Sequence, residues 1–197
     1  MTTVAFQPSV YVPLAIGFFG LGTGYFIWGG STLFGPYKQS PETDRTIGLW
    51  DIWMPGFMQF LTGVYLLVGL TWFQVFGKAA PLYMAALAFT AFGVHWFVLG
   101  YRRYIGSSEE PNGWMAIPFA ALSILGVIVF FGAKDVPVGI LFILLTLIYL
   151  SEIPASFRLI ANGARLVALW QFINGIWLMY LTYAVVLHLT LGQNTWF

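Results

Sequence analysis

Long apolar runs alternate with short charged or Pro/Gly-rich breaks along the whole chain. A helix that crosses a bilayer needs about 20 predominantly apolar residues, and each run is close to that length. The breaks therefore predict six transmembrane helices, at approximately 12–34, 52–73, 79–101, 114–133, 137–153 and 165–190. We expect an all-α membrane protein, a single six-helix domain over residues 1–197 with both termini on one side of the bilayer.

The breaks predict the connections between these helices. The longest, from Gly35 to Asp51, holds five charged residues and two prolines, so we expect a solvated loop there. Connections one, three and five carry six Lys or Arg residues, and the side of the termini carries two. The positive-inside rule then predicts that both termini lie outside the cell.

Composition narrows the class of protein further. Hydrophobic residues make up 59% of the chain and charged residues 8%, against roughly a quarter charged in a soluble domain. A net charge of +1 argues against nucleic-acid binding. The chain has no cysteine, which excludes disulfides, thiolate metal sites and a cysteine nucleophile. We predict an integral membrane protein that is not an enzyme, has no cofactor or bound metal, and has the lipid bilayer as its surroundings.

Two weak internal matches indicate a repeat. Residues 59–67, QFLTGVYLL, are similar to residues 171–179, QFINGIWLM. Residues 22–29 and 93–100 share Gly, an aromatic residue, Phe and Gly at the same spacing. Both matches relate helices that run in the same direction, so they favour three pseudo-repeated hairpins around an axis along the membrane normal. Chance similarity between apolar segments is the alternative.

The few polar side chains inside the predicted helices limit the possible chemistry. Gln59, Thr90, His95 and Asn174 are candidates to line a solute path, with hydrogen-bonded packing as the alternative role. None is acidic, because Glu152 lies at a helix end and Asp51 and Asp135 lie in connections; a carboxylate proton relay at mid-membrane depth is therefore not expected. The two histidines, at His95 and His188, fall at different depths and cannot ligate one haem iron.

Short motifs suggest a family. Residues 55–63, PGFMQFLTG, match a second-helix pattern Gly-Gly-x-x-Gln-x-x-x-Gly, and residues 88–96, AFTAFGVHW, match Ala-Phe-Thr-Ser-Tyr-Gly-x-Phe-Trp in the third helix. The first-helix motif keeps only Pro13 and Leu14. From about Pro13 to Gly192, the chain resembles the acetate uptake transporter family. Three polar positions of that family are replaced by Val10, Leu66 and Val185.

The resemblance implies a channel-like transporter of acetate or a similar small monocarboxylate, assembled as a homo-hexamer in a prokaryotic inner or cell membrane. Carried over by position, a hydrophobic constriction falls on Phe19, Phe92 and Leu145, and Gln59 becomes a polar pore-lining group. A hydrophobic neck of this kind gates by dewetting. Family members keep both termini in the cytoplasm, which conflicts with the charge count.

Three functions are compatible with these observations. The first is carboxylate transport, and the second is a non-catalytic structural or accessory subunit among other membrane subunits. The third is a pore for a small neutral solute. The loss of polar groups relative to the family favours the second, whereas the order of motifs favours the first.

Overall fold

A computed structural model describes residues 12–35, 40–76 and 79–192. These residues form six helices: α1 (Leu14–Phe34), α2 (Pro41–Phe73), α3 (Pro81–Ile105), α4 (Pro111–Gly132), α5 (Val136–Ser156) and α6 (Gly163–Leu191). Five of these helices, α2 to α6, are long and apolar enough to cross a membrane. α1 has a similar length, and six glycines among its 21 residues lower its hydropathy. The all-α membrane fold is confirmed, while Val10, Lys38 and Lys78 lie outside the described residues.

The helix ends follow local backbone chemistry. Proline occupies the first or second position of α2, α3, α4 and α5, where its missing N–H is not needed. The side chains of Ser40 and Asp135 accept hydrogen bonds from backbone N–H groups in the first turns of α2 and α5. Gly35, Gly106 and Gly192 end α1, α3 and α6 with φ values of 49°, 71° and 66°, a left-handed conformation that glycine adopts without a steric penalty.

The prediction of a solvated loop from Gly35 to Asp51 is wrong, because the chain is helical from Pro41 onward. Ser40 caps this helix, and Glu42 and Asp44 lie in its first turn, where negative charge is favourable. α2 has 33 residues, which is about 50 Å at about 1.5 Å per residue and exceeds the roughly 30 Å hydrocarbon core. The charged first turns are thus an extension of a membrane helix.

Two π-helical turns interrupt the regular spiral of α2, at Ile52–Phe57 and Gly69–Phe73. The first contains Pro55, which has no N–H to donate, and a widened turn accommodates such a residue inside a helix. Pro55 is buried against α1, where a Cβ on Gly24 would lie 2.6 Å from the proline Cγ. Close contact between α1 and α2 therefore depends on the glycine.

The helices pack as three antiparallel pairs, whereas the internal matches predicted three hairpins. α2 pairs with α3, α4 pairs with α5, and the first helix α1 pairs with the last helix α6. Two pairs are hairpins, whereas the third joins the two ends of the chain. The α1/α6 and α3/α2 pairs contain the segments that the internal matches relate. We call the end of the bundle where α1 begins face A and the end where it finishes face B.

Candidate functional site

An apolar cavity of about 300 Å³ opens at face A. Its mouth lies beside Asp135 and Pro81 at the starts of α5 and α3, and it extends along α1, α3 and α5 to Phe92 and Leu145. Aliphatic and aromatic side chains form almost the whole wall. Gln59 is the polar side chain on the helical part of that wall. The cavity therefore offers a solute one amide in a hydrocarbon surrounding.

A polar cavity of about 440 Å³ opens at face B, among the opposite ends of the same helices. Its wall carries both signs of charge, on the residues Asp44, Arg102, Arg103, Glu109 and Glu152. Trp28 and Gln171 line it as well. The two cavities thus approach each other from opposite ends of one bundle and differ sharply in chemistry.

Three aromatic rings pack together between the inner end of the apolar cavity and a small chamber beside the polar cavity, and we call them the aromatic septum: Phe92, Phe119 and Tyr149. The rings of Phe92 and Tyr149 are stacked with centroids 5.9 Å apart and 12° between their planes. Phe119 lies 5.5 Å from Phe92 and 5.4 Å from Tyr149, centroid to centroid. Phe92 also faces the apolar cavity, and Tyr149 faces a small chamber of about 20 Å³ on the other side. That volume holds about one water molecule.

His95 lies in the wall of this chamber. Its Nδ1 is 3.1 Å from the hydroxyl of Tyr149, and its ring centroid is 4.7 Å from that of Phe119. The Nε2 atom is buried and has no hydrogen-bond partner. Because buried polar atoms are nearly always paired, an open Nε2 in a chamber is an available donor or acceptor for a passing molecule.

Gln59 is the corresponding open group of the apolar cavity. Its side chain is fully buried, and neither its amide oxygen nor its amide nitrogen has a hydrogen-bond partner. An unpartnered amide costs free energy in a hydrocarbon wall. A solute that hydrogen-bonds to the amide would recover that cost.

The structure brings some of the sequence-predicted residues together and separates others. Phe92, Leu145 and Gln59 line the apolar cavity, and His95 lines the small chamber. Thr90 and Asn174 line neither cavity: Thr90 donates its hydroxyl to the Ala86 carbonyl and Asn174 is fully buried. Both amide atoms of Asn174 lack a partner.

Phe19 is not part of this site. Its side chain is 43% exposed on the outer surface of α1, whereas Phe18 is 2% exposed and lines the apolar cavity. Successive residues on a helix point about 100° apart, so a match displaced by one residue changes the side of the helix. The inward aromatic residue of α1 at this level is therefore Phe18.

The expectation that Asp51 lies in a connection is wrong as well. Asp51 is fully buried, and its Oδ2 accepts a hydrogen bond from the indole N–H of Trp28. The Arg103 guanidinium lies over the same indole, 4.9 Å from the ring centroid. Arg103 also donates two hydrogen bonds, of 3.0 and 2.8 Å, to Asp44 Oδ1. This network joins α1, α2 and α3 beside the polar cavity.

Sequence reasoning missed the polar cavity, although its residues carry a signal. Arg102 and Arg103 occupy the last turn of α3, where cations are favourable, and we interpreted them only as markers of orientation. Within the described parts of the chain, no three His, Asp or Glu residues form a group that could hold a metal ion.

The chain is similar in structure to a known membrane protein. The solved structure entitled "Structure of the bacterial acetate channel SatP" superposes with a TM-score of 0.70, covers 95% of this chain and 98% of its own, and is 18% identical in sequence. No protein-family model and no curated protein matches the chain. At this identity the likeness establishes the fold: the chain is a six-helix membrane protein with the architecture of that channel.

Proposed function

We propose that this protein is a channel-like transporter of acetate or a similar small monocarboxylate. The observation that carries the proposal is the pair of cavities that enter one bundle from opposite faces. The apolar cavity ends at Phe92, and the polar cavity shares Trp28, Glu152 and Gln171 with the small chamber that Tyr149 lines. A helix bundle with a purely structural role has no need of two such cavities at its opposite ends. The similarity in fold to an acetate channel supports the same conclusion.

The two cavities suggest how a carboxylate would pass. The polar cavity holds two arginines and three carboxylates. Among these groups, the guanidinium of Arg102 has an Nε without a hydrogen-bond partner, and such a donor suits an anion better than a neutral solute. The aromatic septum is a hydrophobic constriction, and such constrictions gate by excluding water. Beyond it, the amide of Gln59 can donate a hydrogen bond to a carboxylate without holding it as an ion would. A homo-hexamer in a prokaryotic cell membrane, with no catalytic step, completes the proposal.

Uptake into proteoliposomes tests this function. We expect wild-type protein to take up radiolabelled acetate faster than empty liposomes. Phe92→Ala removes one ring of the septum, and it should raise acetate uptake or let longer carboxylates such as butyrate pass. The same truncation removes buried contacts and is expected to cost about 3–5 kcal/mol of stability. Folding of the variant is therefore checked by its elution profile and thermal unfolding.

Val94→Ala is the matched control for Phe92→Ala. Val94 lies on the same helix with 47% of its side chain exposed on the outer surface, so its truncation should leave uptake unchanged. If wild-type protein shows no uptake above empty liposomes and Phe92→Ala lowers only stability, the transport proposal fails. The septum would then be packing, and the accessory-subunit function would be sought by identifying copurifying membrane proteins.

A further inference from the structure

The polar cavity contains an arginine with a hydrogen-bond donor that has no partner. Arg102 is 8% exposed, and its Nη1 forms an ion pair of 3.2 Å with Glu109 Oε1. Its Nε is buried without a hydrogen-bond partner. A buried guanidinium with an open donor normally marks a site that a further acceptor can complete.

The other charged groups of the cavity have settled partners. Arg103 donates two hydrogen bonds to Asp44, and an oxygen of Glu152 accepts a hydrogen bond from Ser156. The Arg102–Glu109 pair differs because its two members are buried to very different degrees, with side-chain exposures of 10% and 79%. The guanidinium therefore stays in the cavity wall, while the carboxylate reaches it from the solvent side.

Glu109 belongs to the short connection between α3 and α4. Its side chain ends in a carboxylate, which is the chemical group of the proposed solute. Because Glu109 is largely exposed, solvent screens this ion pair from one side. Solvent-screened pairs contribute little free energy, about 0.2–1 kcal/mol, so Glu109 exchanges easily for another carboxylate. The carboxylate of Glu109 would thus compete with a solute carboxylate for the guanidinium of Arg102.

We propose that Arg102 is the carboxylate-recognition residue of the polar cavity and that Glu109 is a tethered carboxylate which an entering solute displaces from it. The inference rests on the proposed function and names the group that would select an anion at face B. Arg102 can hold a carboxylate through more than one donor, since its fork of N–H groups fits two carboxylate oxygens.

The binding of acetate to purified full-length protein, followed by saturation-transfer NMR, tests this inference separately from transport. Glu109→Gln removes the competitor, and the dissociation constant for acetate should fall about two- to fivefold, the range of an exposed ion pair. Arg102→Gln should raise the dissociation constant by about tenfold or more, because a charge-assisted hydrogen bond is lost. Arg102→Lys keeps the charge and should give an intermediate value.

The neighbouring ion pair supplies matched controls. Glu110 pairs with Arg158 at 3.8 Å, with side-chain exposures of 70% and 84%, and neither residue lines the polar cavity. Glu110→Gln and Arg158→Gln should leave acetate binding unchanged. Equal dissociation constants for wild type and Glu109→Gln would overturn the inference, even if Arg102→Gln failed to fold. A lack of acetate uptake by wild-type protein would instead remove the proposed function.

Discussion

The apolar and polar cavities are built from opposite ends of the same helices and have almost opposite chemistry. In the apolar cavity the wall is hydrocarbon, apart from the amide of Gln59 and the carboxyl of Asp135 at the mouth. In the polar cavity the wall is a set of ion pairs, and Glu109 reaches its partner from solvent. Under the proposed function, a carboxylate would meet charged groups at face B and hydrocarbon at face A. The proposal thus places selection of the solute and its passage through hydrocarbon in separate parts of the molecule.

If the two cavities open at opposite faces, water reaches each of them from one side of the membrane only. Cysteine labelling tests this arrangement, and the expected difference in labelling is the largest effect predicted here. The chain has no cysteine, so Ala88→Cys in the apolar cavity and Ala155→Cys in the polar cavity each give one thiol. A membrane-impermeant thiol reagent should label Ala88→Cys only from face A and Ala155→Cys only from face B. A thiol reacts as the thiolate, which forms only where water reaches it. Val94→Cys on the lipid-facing surface should therefore stay unlabelled from both sides, and Ala88→Cys should be labelled because water enters the apolar cavity from face A.

Labelling of both cavity cysteines from the same side would contradict the two-cavity arrangement. Adding Phe92→Ala to each cysteine variant makes the test sharper. With one ring of the septum removed, the reagent should also label each cysteine from the opposite face. In intact cells the same variants also decide the orientation. The positive-inside rule predicts that Ala88→Cys is labelled from outside, whereas the family resemblance predicts labelling of Ala155→Cys.

The fold could be predicted largely from hydropathy. The predicted helix limits agree with the structure within four residues at every end except the start of α2, because lipid requires long unbroken apolar runs. The prediction placed the start of α2 too late because it interpreted the charged residues before Asp51 as a loop. Ser40, Pro41 and Glu42 form a helix-initiation signal that holds equally in water.

The candidate site could be predicted only in part. In a helix that is apolar on all sides, periodicity does not show which side faces the bundle interior, and the choice between Phe18 and Phe19 depends on that. Gln59 was identified because a polar residue in an apolar helix is conspicuous whatever its direction. The Arg102–Glu109 pair was missed because it depends on how the end of α3 and the following connection are placed, which residue types do not reveal.

The second prediction compares two buried amides, of which one faces a cavity. Gln59→Leu should lower acetate uptake about ten- to hundredfold, since a charge-assisted hydrogen bond is worth about 1.5–3 kcal/mol. Asn174→Leu removes an equally unpartnered amide that lines neither cavity, and uptake should change by less than about twofold because the change acts on packing alone. Proteoliposome uptake measures both. Equal losses in the two variants would show that Gln59 acts through stability.

The smallest expected effect concerns Asp135 at the mouth of the apolar cavity. Burial raises the pKa of this carboxyl above its ordinary value of 3.8, and the hydrogen bond from the Val138 N–H opposes the rise. The folded protein therefore binds the Asp135 proton more tightly than the unfolded chain does. Its stability relative to Asp135→Asn should be highest in acid and fall as the pH rises through the native pKa.

Asp135→Asn keeps a residue that caps helices as well as aspartate does, and it removes the charge. Above the native pKa, the ionised Asp135 repels an acetate anion at the mouth, so the variant should take up acetate about twofold faster, as expected for unit charges about 10 Å apart in water. Acetate itself is protonated to the same extent in both measurements, so this effect of pH cancels in the ratio of variant to wild-type uptake. We expect that ratio to rise with pH from about one, and a ratio that stays flat between about pH 4 and pH 8 would mean that Asp135 does not face the solute path.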